Sequence, residues 1–130
     1  GSNGAPQSVL VCHALTDALL GAAGQGDIGR HFSNTDPRWK DAPGLDLLSR
    51  ALSLVREHGW TVVNVDVTVV LERPKLAPHV PAIRAALAAA LDLSIDAVSV
   101  KGKTNEGVDA VGRGEAIASD AVVLLMGERS

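Results

Sequence analysis

A chain of 130 residues with a formal charge of −3, 46% hydrophobic and 21% charged, has the length and composition of one globular domain. Aromatics are only 2%, so the core must be built from Ala, Val and Leu, which bury little area each, and association between copies is an expected source of further stability. Without a basic block nucleic acid is disfavoured as a partner, no apolar run reaches a membrane span, and the lone Cys12 excludes an internal disulfide and suits a reducing compartment.

The polar opening GSNGAPQ sets residues 1–10 apart as a flexible N-terminal segment or tag remnant, and residues 11–126 read as a single domain. From His13 to Ala23 the pattern is helical. Leu15, Ala18, Leu19 and Ala22 form one stripe, and His13, Asp17 and Gly21 form an adjacent one. Gly24 and Gly26 end this helix. Residues 27–44 are rich in Asp, Asn, Gly and Pro and read as a loop. Asp46 begins a second helix to about His58, with Leu47, Leu48, Ala51, Leu52 and Val55 as its apolar face and Gly59 as its stop.

Residues 61–71 are the clearest strand. Val63, Val65, Val67 and Val69 alternate with Asn64, Asp66 and Thr68. A turn follows, then a helix over 79–91 with Val80, Ile83, Leu87 and Leu91 in register. A short strand covers 97–101, and 102–114 is polar and Gly-rich. The final AIASDAVVLLM reads as a strand, although its alanines leave helix open. The order predicts an α+β fold: a two-layer domain with helices packed on one face of a small mixed β-sheet.

Three polar islands interrupt this apolar chain. The first is His13 with Asp17 and the turn at Asp27. A neutral imidazole can ligate a divalent metal, or Asp17 and the backbone can satisfy it. The second is LERPKLAP at 71–78, where Lys75 offers a point charge and Pro74 and Pro78 stiffen the backbone. It is either a rigid recognition turn or an ordinary strand-to-helix connection. The third is KGKTNEGVDAVGRGE at 101–115. Lys101, Lys103 and Arg113 supply positive charge, Thr104 and Asn105 hydrogen bonds, the glycines close approach, and Glu106 a metal-binding carboxylate. It is either a phosphate cradle or a polar loop, and it is not a Walker loop. Such islands suit phosphoryl transfer, which works mostly through positioning and charge stabilisation. Ser49, Ser53 and Cys12 show no base partner for nucleophilic chemistry.

The stretches HALTDALLGAAGQGDIG, FSNTDPRW, NVDVTVV, RPKLAPH, VKGKTNEG and GRGEAIA stand in this order along the chain. From about Val11 to Leu125 it resembles the 2-C-methyl-D-erythritol 2,4-cyclodiphosphate synthase family. The resemblance implies a homotrimer with active sites between adjacent subunits, in bacterial cytoplasm or plastid stroma. It implies a cytidine diphosphate substrate, 4-diphosphocytidyl-2-C-methyl-D-erythritol 2-phosphate. The 2-phosphate attacks the β-phosphorus, CMP leaves, and a cyclic diphosphate forms on the non-mevalonate route to isoprenoid precursors.

By the same resemblance, His13 is a ligand of a catalytic divalent metal, zinc or manganese. Asp27, Ile28 and Gly29 contact the methylerythritol part, with Phe32, Ser33, Asn34, Thr35 and Asp36 beside them. Leu71, Glu72, Arg73, Pro74, Lys75, Leu76 and Ala77 hold cytosine, largely through backbone groups. Lys103, Thr104, Asn105 and Glu106 hold phosphates across the interface, with Thr104 stabilising the transition state and Glu106 ligating magnesium at the diphosphate. Arg113 assists at the nucleotide phosphates, and Ala110 stands where the family usually places an aromatic near the nucleotide. The family's G-x-D-x-H and H-S-D-G-D motifs are not found ahead of His13, where the chain reads GSNGAPQSVLVC. The first would supply two further metal ligands. The start therefore reads as truncated or incompletely represented, and a catalytically inactive trimeric module that binds cytidine nucleotides is the rival reading.

Overall fold

The valine-rich alternation around Val65 produces the central strand of the fold, β1 (Trp60–Val70). In the computed structural model, which describes residues 6–31, 43–70, 77–103 and 118–127, β1 lies between β2 (Val98–Lys103) and β3 (Ala118–Gly127). It runs parallel to β2 and antiparallel to β3, so the three-stranded sheet is mixed. A parallel pair needs a long crossover, and α4 (Val80–Leu91) lies within the one that joins β1 to β2.

The remaining helices are α1 (Pro6–Ala22), the one-turn α2 (Ile28–His31) and α3 (Gly44–Glu57). α1 packs on α3, β3 and β1, while α4 packs on β2 and α3. One core cluster results. It joins Val11, Leu15, Leu19 and Leu20 of α1, Leu48, Ala51 and Val55 of α3, and Leu87 and Leu91 of α4 to the valines of the sheet. The expected layering, helices against a small mixed sheet, is what the structure has, and the apolar face anticipated on α3 is buried residue for residue.

Five expectations need correction. The inward valines of β1 are Val62, Val65, Val67 and Val69, whereas Val63 is 40% exposed. The reason is a register break opposite β3: Val62 pairs with Leu125 and Asn64 with Leu124, so Val63 is inserted between them. A bulge adds one residue and reverses the side-chain phase on one side of it. In α1 the buried stripe is Val11, Cys12, Leu15, Thr16, Leu19, Leu20 and Ala23, with Ala18 half-buried and Ala22 exposed. The larger side chains win the inward position because they bury more area. α1 also starts at Pro6, inside the stretch set apart as flexible. Proline costs no bond at a first helical position, and buried Val11 and Cys12 anchor the turns that follow. Finally, residues 28–31 form a helical turn rather than loop, and Gly102 and Lys103 belong to β2.

Two helices end in the same way. At α1, Gln25 N–H bonds Leu20 O at 2.7 Å and Gly24 N–H bonds Gly21 O at 3.0 Å, with Gly24 at φ +72°. At α4, Leu93 N–H bonds Ala88 O at 2.9 Å and Asp92 N–H bonds Ala89 O at 3.3 Å, with Asp92 left-handed at φ 57°. Both are Schellman closures, which satisfy carbonyls that the helix leaves orphaned. From within α4, Arg84 donates from Nε to Val98 O at 2.8 Å and from Nη2 to Ile95 O at 2.9 Å, fixing the entry to β2.

Candidate functional site

The register of the sheet places the polar islands. Val70, the last residue of β1, pairs with Lys103 on one side and Ala118 on the other. The stretch 71–77 leaves from Val70, the stretch 104–117 leaves from Lys103 and re-enters at Ala118, and so both depart from the same end of the sheet. Parallel pairing of β1 with β2 is what brings two islands some thirty residues apart in sequence to adjacent strand ends. Leu71, Glu72, Arg73, Pro74, Lys75 and Leu76 lie outside the described residues, as do Thr104, Asn105, Glu106, Ala110 and Arg113. Ala77 opens a short 3-10 turn, Ala77–His79, that leads into α4.

The two lysines of β2 have different tasks. Lys101 Nζ sits 2.7 Å from both carboxylate oxygens of Asp66 on β1. That pair holds the Asp66 carboxyl below its usual range, chiefly through the lysine's hydrogen bonds, with burial working against them. Lys101 therefore has a carboxylate partner on the neighbouring strand that its place in the third island did not show. Lys103 is exposed at the end of the strand. Asp66 itself was readable only as the polar half of an alternation, and nothing in its local sequence marks the partner.

His13 lies on the exposed side of α1 with Asp17 and Gly21, one turn apart along the helix. The stripe is thus a solvent face and not a core face. The imidazole is accessible to a metal, and an exposed neutral histidine is chemically fit to be one ligand. Among the described residues, however, no group of three His, Cys, Asp or Glu side chains converges as a metal site. His13 alone does not make a closed or a catalytic site, which takes three or more protein ligands.

Asp27 is exposed and carries a structural bond: its Oδ1 accepts the Arg30 N–H at 3.0 Å, capping α2. Ile28 and Gly29 form the first turn of that helix. Phe32, Ser33, Asn34, Thr35 and Asp36 lie outside the described residues. Residues 27–29 thus follow directly on α1, whereas β1 and β2 end side by side at Val70 and Lys103. Helix α1 covers β3, one edge of the sheet, whereas Lys103 belongs to β2, the other edge.

Cys12 is no nucleophile. Burial pushes its thiol up to about 11, and a protonated, enclosed sulfur is inert. Thr16, fully buried, donates to Cys12 O at 2.7 Å and is satisfied by its own helix. The outer face of the sheet, opposite the helices, exposes Val122 (71%), Leu124 (54%) and Met126 (60%) along β3. Alternation in AIASDAVVLLM is apolar at both phases, which is why the sequence left this surface unseen.

A model of the YgbB family matches residues 4–126 of the chain. The 2-C-methyl-D-erythritol 2,4-cyclodiphosphate synthase of Gloeobacter violaceus is 61% identical over 116 residues, covering 89% of this chain and 71% of that protein. The synthase of Halorhodospira halophila is 54% identical over the same shares. Among solved structures, a 2C-methyl-D-erythritol-2,4-cyclodiphosphate synthase in a CDP-bound form superposes with a TM-score of 0.82 at 40% identity, over 88% of this chain and 74% of that one. The bifunctional IspDF of Campylobacter jejuni gives 0.87 at 39% identity, over 92% of this chain but 32% of its own length.

Proposed function

From membership of the YgbB family, to which the chain belongs, we infer that it converts 4-diphosphocytidyl-2-C-methyl-D-erythritol 2-phosphate to 2-C-methyl-D-erythritol 2,4-cyclodiphosphate with release of CMP. An oxygen of the 2-phosphate forms a bond to the β-phosphorus. The bond from that phosphorus to the bridging oxygen breaks, and its electron pair leaves with CMP. The protein needs no covalent nucleophile for this, in keeping with the inert Cys12. The observation that supports the reading within the fold is the pairing of Val70 with Lys103, so that 71–77 and 104–117 begin from adjacent strand ends.

The finer assignments complete the reading. Backbone groups of 71–77 hold cytosine. Lys103, Thr104, Asn105 and Arg113 hold the phosphates, with Ala110 beside the nucleotide and Thr104 bonding most strongly in the transition state. Glu106 ligates magnesium at the diphosphate. Asp27, Ile28 and Gly29, flanked by Phe32 to Asp36, hold the methylerythritol part. His13 contributes one ligand to a zinc or manganese ion whose other ligands come from outside the described residues.

The working unit is a homotrimer with sites between adjacent copies, in bacterial cytoplasm or plastid stroma. Two features support association. The exposed stripe Val122, Leu124 and Met126 is an apolar surface that a lone domain leaves in water. Further, His13 sits on the helix over β3 whereas Lys103 ends β2, at opposite edges of one sheet. A second copy can bring one edge to the other.

The test is CMP release and nucleotide affinity measured together. Thr104→Ala should lower turnover about a hundredfold, as loss of a transition-state donor does, with CMP affinity nearly unchanged. Equal losses in both would remove Thr104 from its role. Substrate turned over by the wild type without CMP release would overturn the reaction assigned.

A further inference from the structure

Between α1 and α2 the chain closes a small ring around the turn assigned to the methylerythritol part. Gln25 is tied to the end of α1 through its N–H on Leu20 O at 2.7 Å. The carbonyl of the same Gln25 lies 2.5 Å from Nε2 of His31, the last residue of α2. A carbonyl only accepts, so the imidazole donates its Nε2–H. Residues 25 and 31 are thereby clasped, with Asp27, Ile28 and Gly29 as the arc between them.

The arc needs such a clasp. A helix of four residues has no stability of its own, because nucleation costs more than one turn returns. Asp27 capping Arg30 N–H at 3.0 Å secures the turn from inside, but it does not join α2 to α1. His31 does. The path is also tight: Gly26 has φ +90°, and a Cβ there would lie 2.8 Å from Arg30 Cδ. The His31 ring is half-buried, so its bond is partly shielded from competing water.

We propose that His31 is a positioning residue for the substrate, whose Nε2–H clasps the Gln25 carbonyl and holds the Asp27–Gly29 backbone against α1 in the geometry that binds the methylerythritol part. The proposal rests on the assignment of that turn under the proposed function. His31 touches no reacting atom. Its effect reaches the substrate through the turn, because a ligand that must first order its own site loses affinity to that ordering.

The experiment uses calorimetry on the metal-loaded protein with two probes, the cyclodiphosphate product, which carries the methylerythritol skeleton, and CDP, which does not. His31→Leu keeps bulk and removes the donor, and His31→Gln keeps an N–H donor. His31→Leu should weaken product binding about 3- to 10-fold, the effect of one lost hydrogen bond. CDP affinity should stay within about 2-fold, since its stretches leave from β1 and β2. His31→Gln should recover most of the product affinity. Unchanged product binding in His31→Leu, a parallel loss of CDP, or no recovery in His31→Gln would each overturn the clasp. Asp27→Ala separates this from the site assignment. If it weakens product binding and His31→Leu does not, the clasp alone fails. If neither does, the turn is not the methylerythritol site.

Discussion

On its inner face the sheet presents Val62, Val65, Val67 and Val69 of β1 with Val98 and Val100 of β2, all buried beneath the helices. On its outer face β1 and β2 present Asn64, Asp66, Thr68, Ser99 and Lys101, while β3 adds Val122, Leu124 and Met126. β1 is explained within a single domain, apolar inward and largely polar outward. β3 is not, because Ala121, Val123 and Leu125 pack inward while equally apolar neighbours face out. One face is covered within one chain, and the other leaves an apolar stripe on β3 uncovered.

The sharpest way to break this contrast is to put the same charge on each face. Val67→Asp buries an unpaired carboxylate in a site with no exposure and should cost more than about 4 kcal/mol, leaving little folded protein by circular dichroism. Leu124→Asp meets a site already 54% exposed. It should keep a native spectrum while light scattering shows the mass falling from that of the proposed trimer to single copies. A trimer unchanged by Leu124→Asp would mean that β3's outer stripe is not where copies meet.

A smaller effect sharpens the polar half of the outer face. Lys101 and Asp66 are both substantially exposed, so Lys101→Met should cost less than about 1 kcal/mol at neutral pH. The sign with pH follows from the direction of the shift. Asp66 is held below its usual pKa, so its contribution is fully present above that usual value and is lost as pH falls through the folded one. Urea midpoints of wild type and Lys101→Met should therefore converge below about pH 4. A gap that persists at pH 2 would show that the lysine acts by packing instead.

The smallest expected effect lies away from the sheet. Asp92 adopts a left-handed conformation at the end of α4, and its carboxylate reaches Arg56 at 3.5 Å across exposed surface. Asp92→Gly should stabilise the fold by about 0.5 kcal/mol, since glycine takes that conformation freely and the exposed pair contributes little. A loss on urea unfolding would show that the Arg56 pair outweighs the backbone.

Much of the site was legible as residue types and little of it as proximity. Lys103 and the 71–77 stretch were identifiable by resemblance, but their shared exit from the sheet depends on β1 pairing with β2 in parallel. Lys101 read as a free cation because its partner lies on another strand. His31 passed unnoticed inside a Gly- and Pro-rich stretch, since its bond to Gln25 exists only once α1 has ended and turned.

The amino-acid order by itself determined the longer helices and strands to within a few residues, because those follow from apolar spacing and from Gly and Pro punctuation. It also determined the family, through short motifs kept in order. The inward face of α3 was legible too, but only the tertiary structure decided the facing at the start of β1 and along β3. The bulge at Val63 turned that end of β1 over, and the apolar β3 was assigned its faces by what packs on it. Periodicity defines two sides of an element but carries no information on which neighbour will cover either one; that choice is made by contacts between residues far apart along the chain.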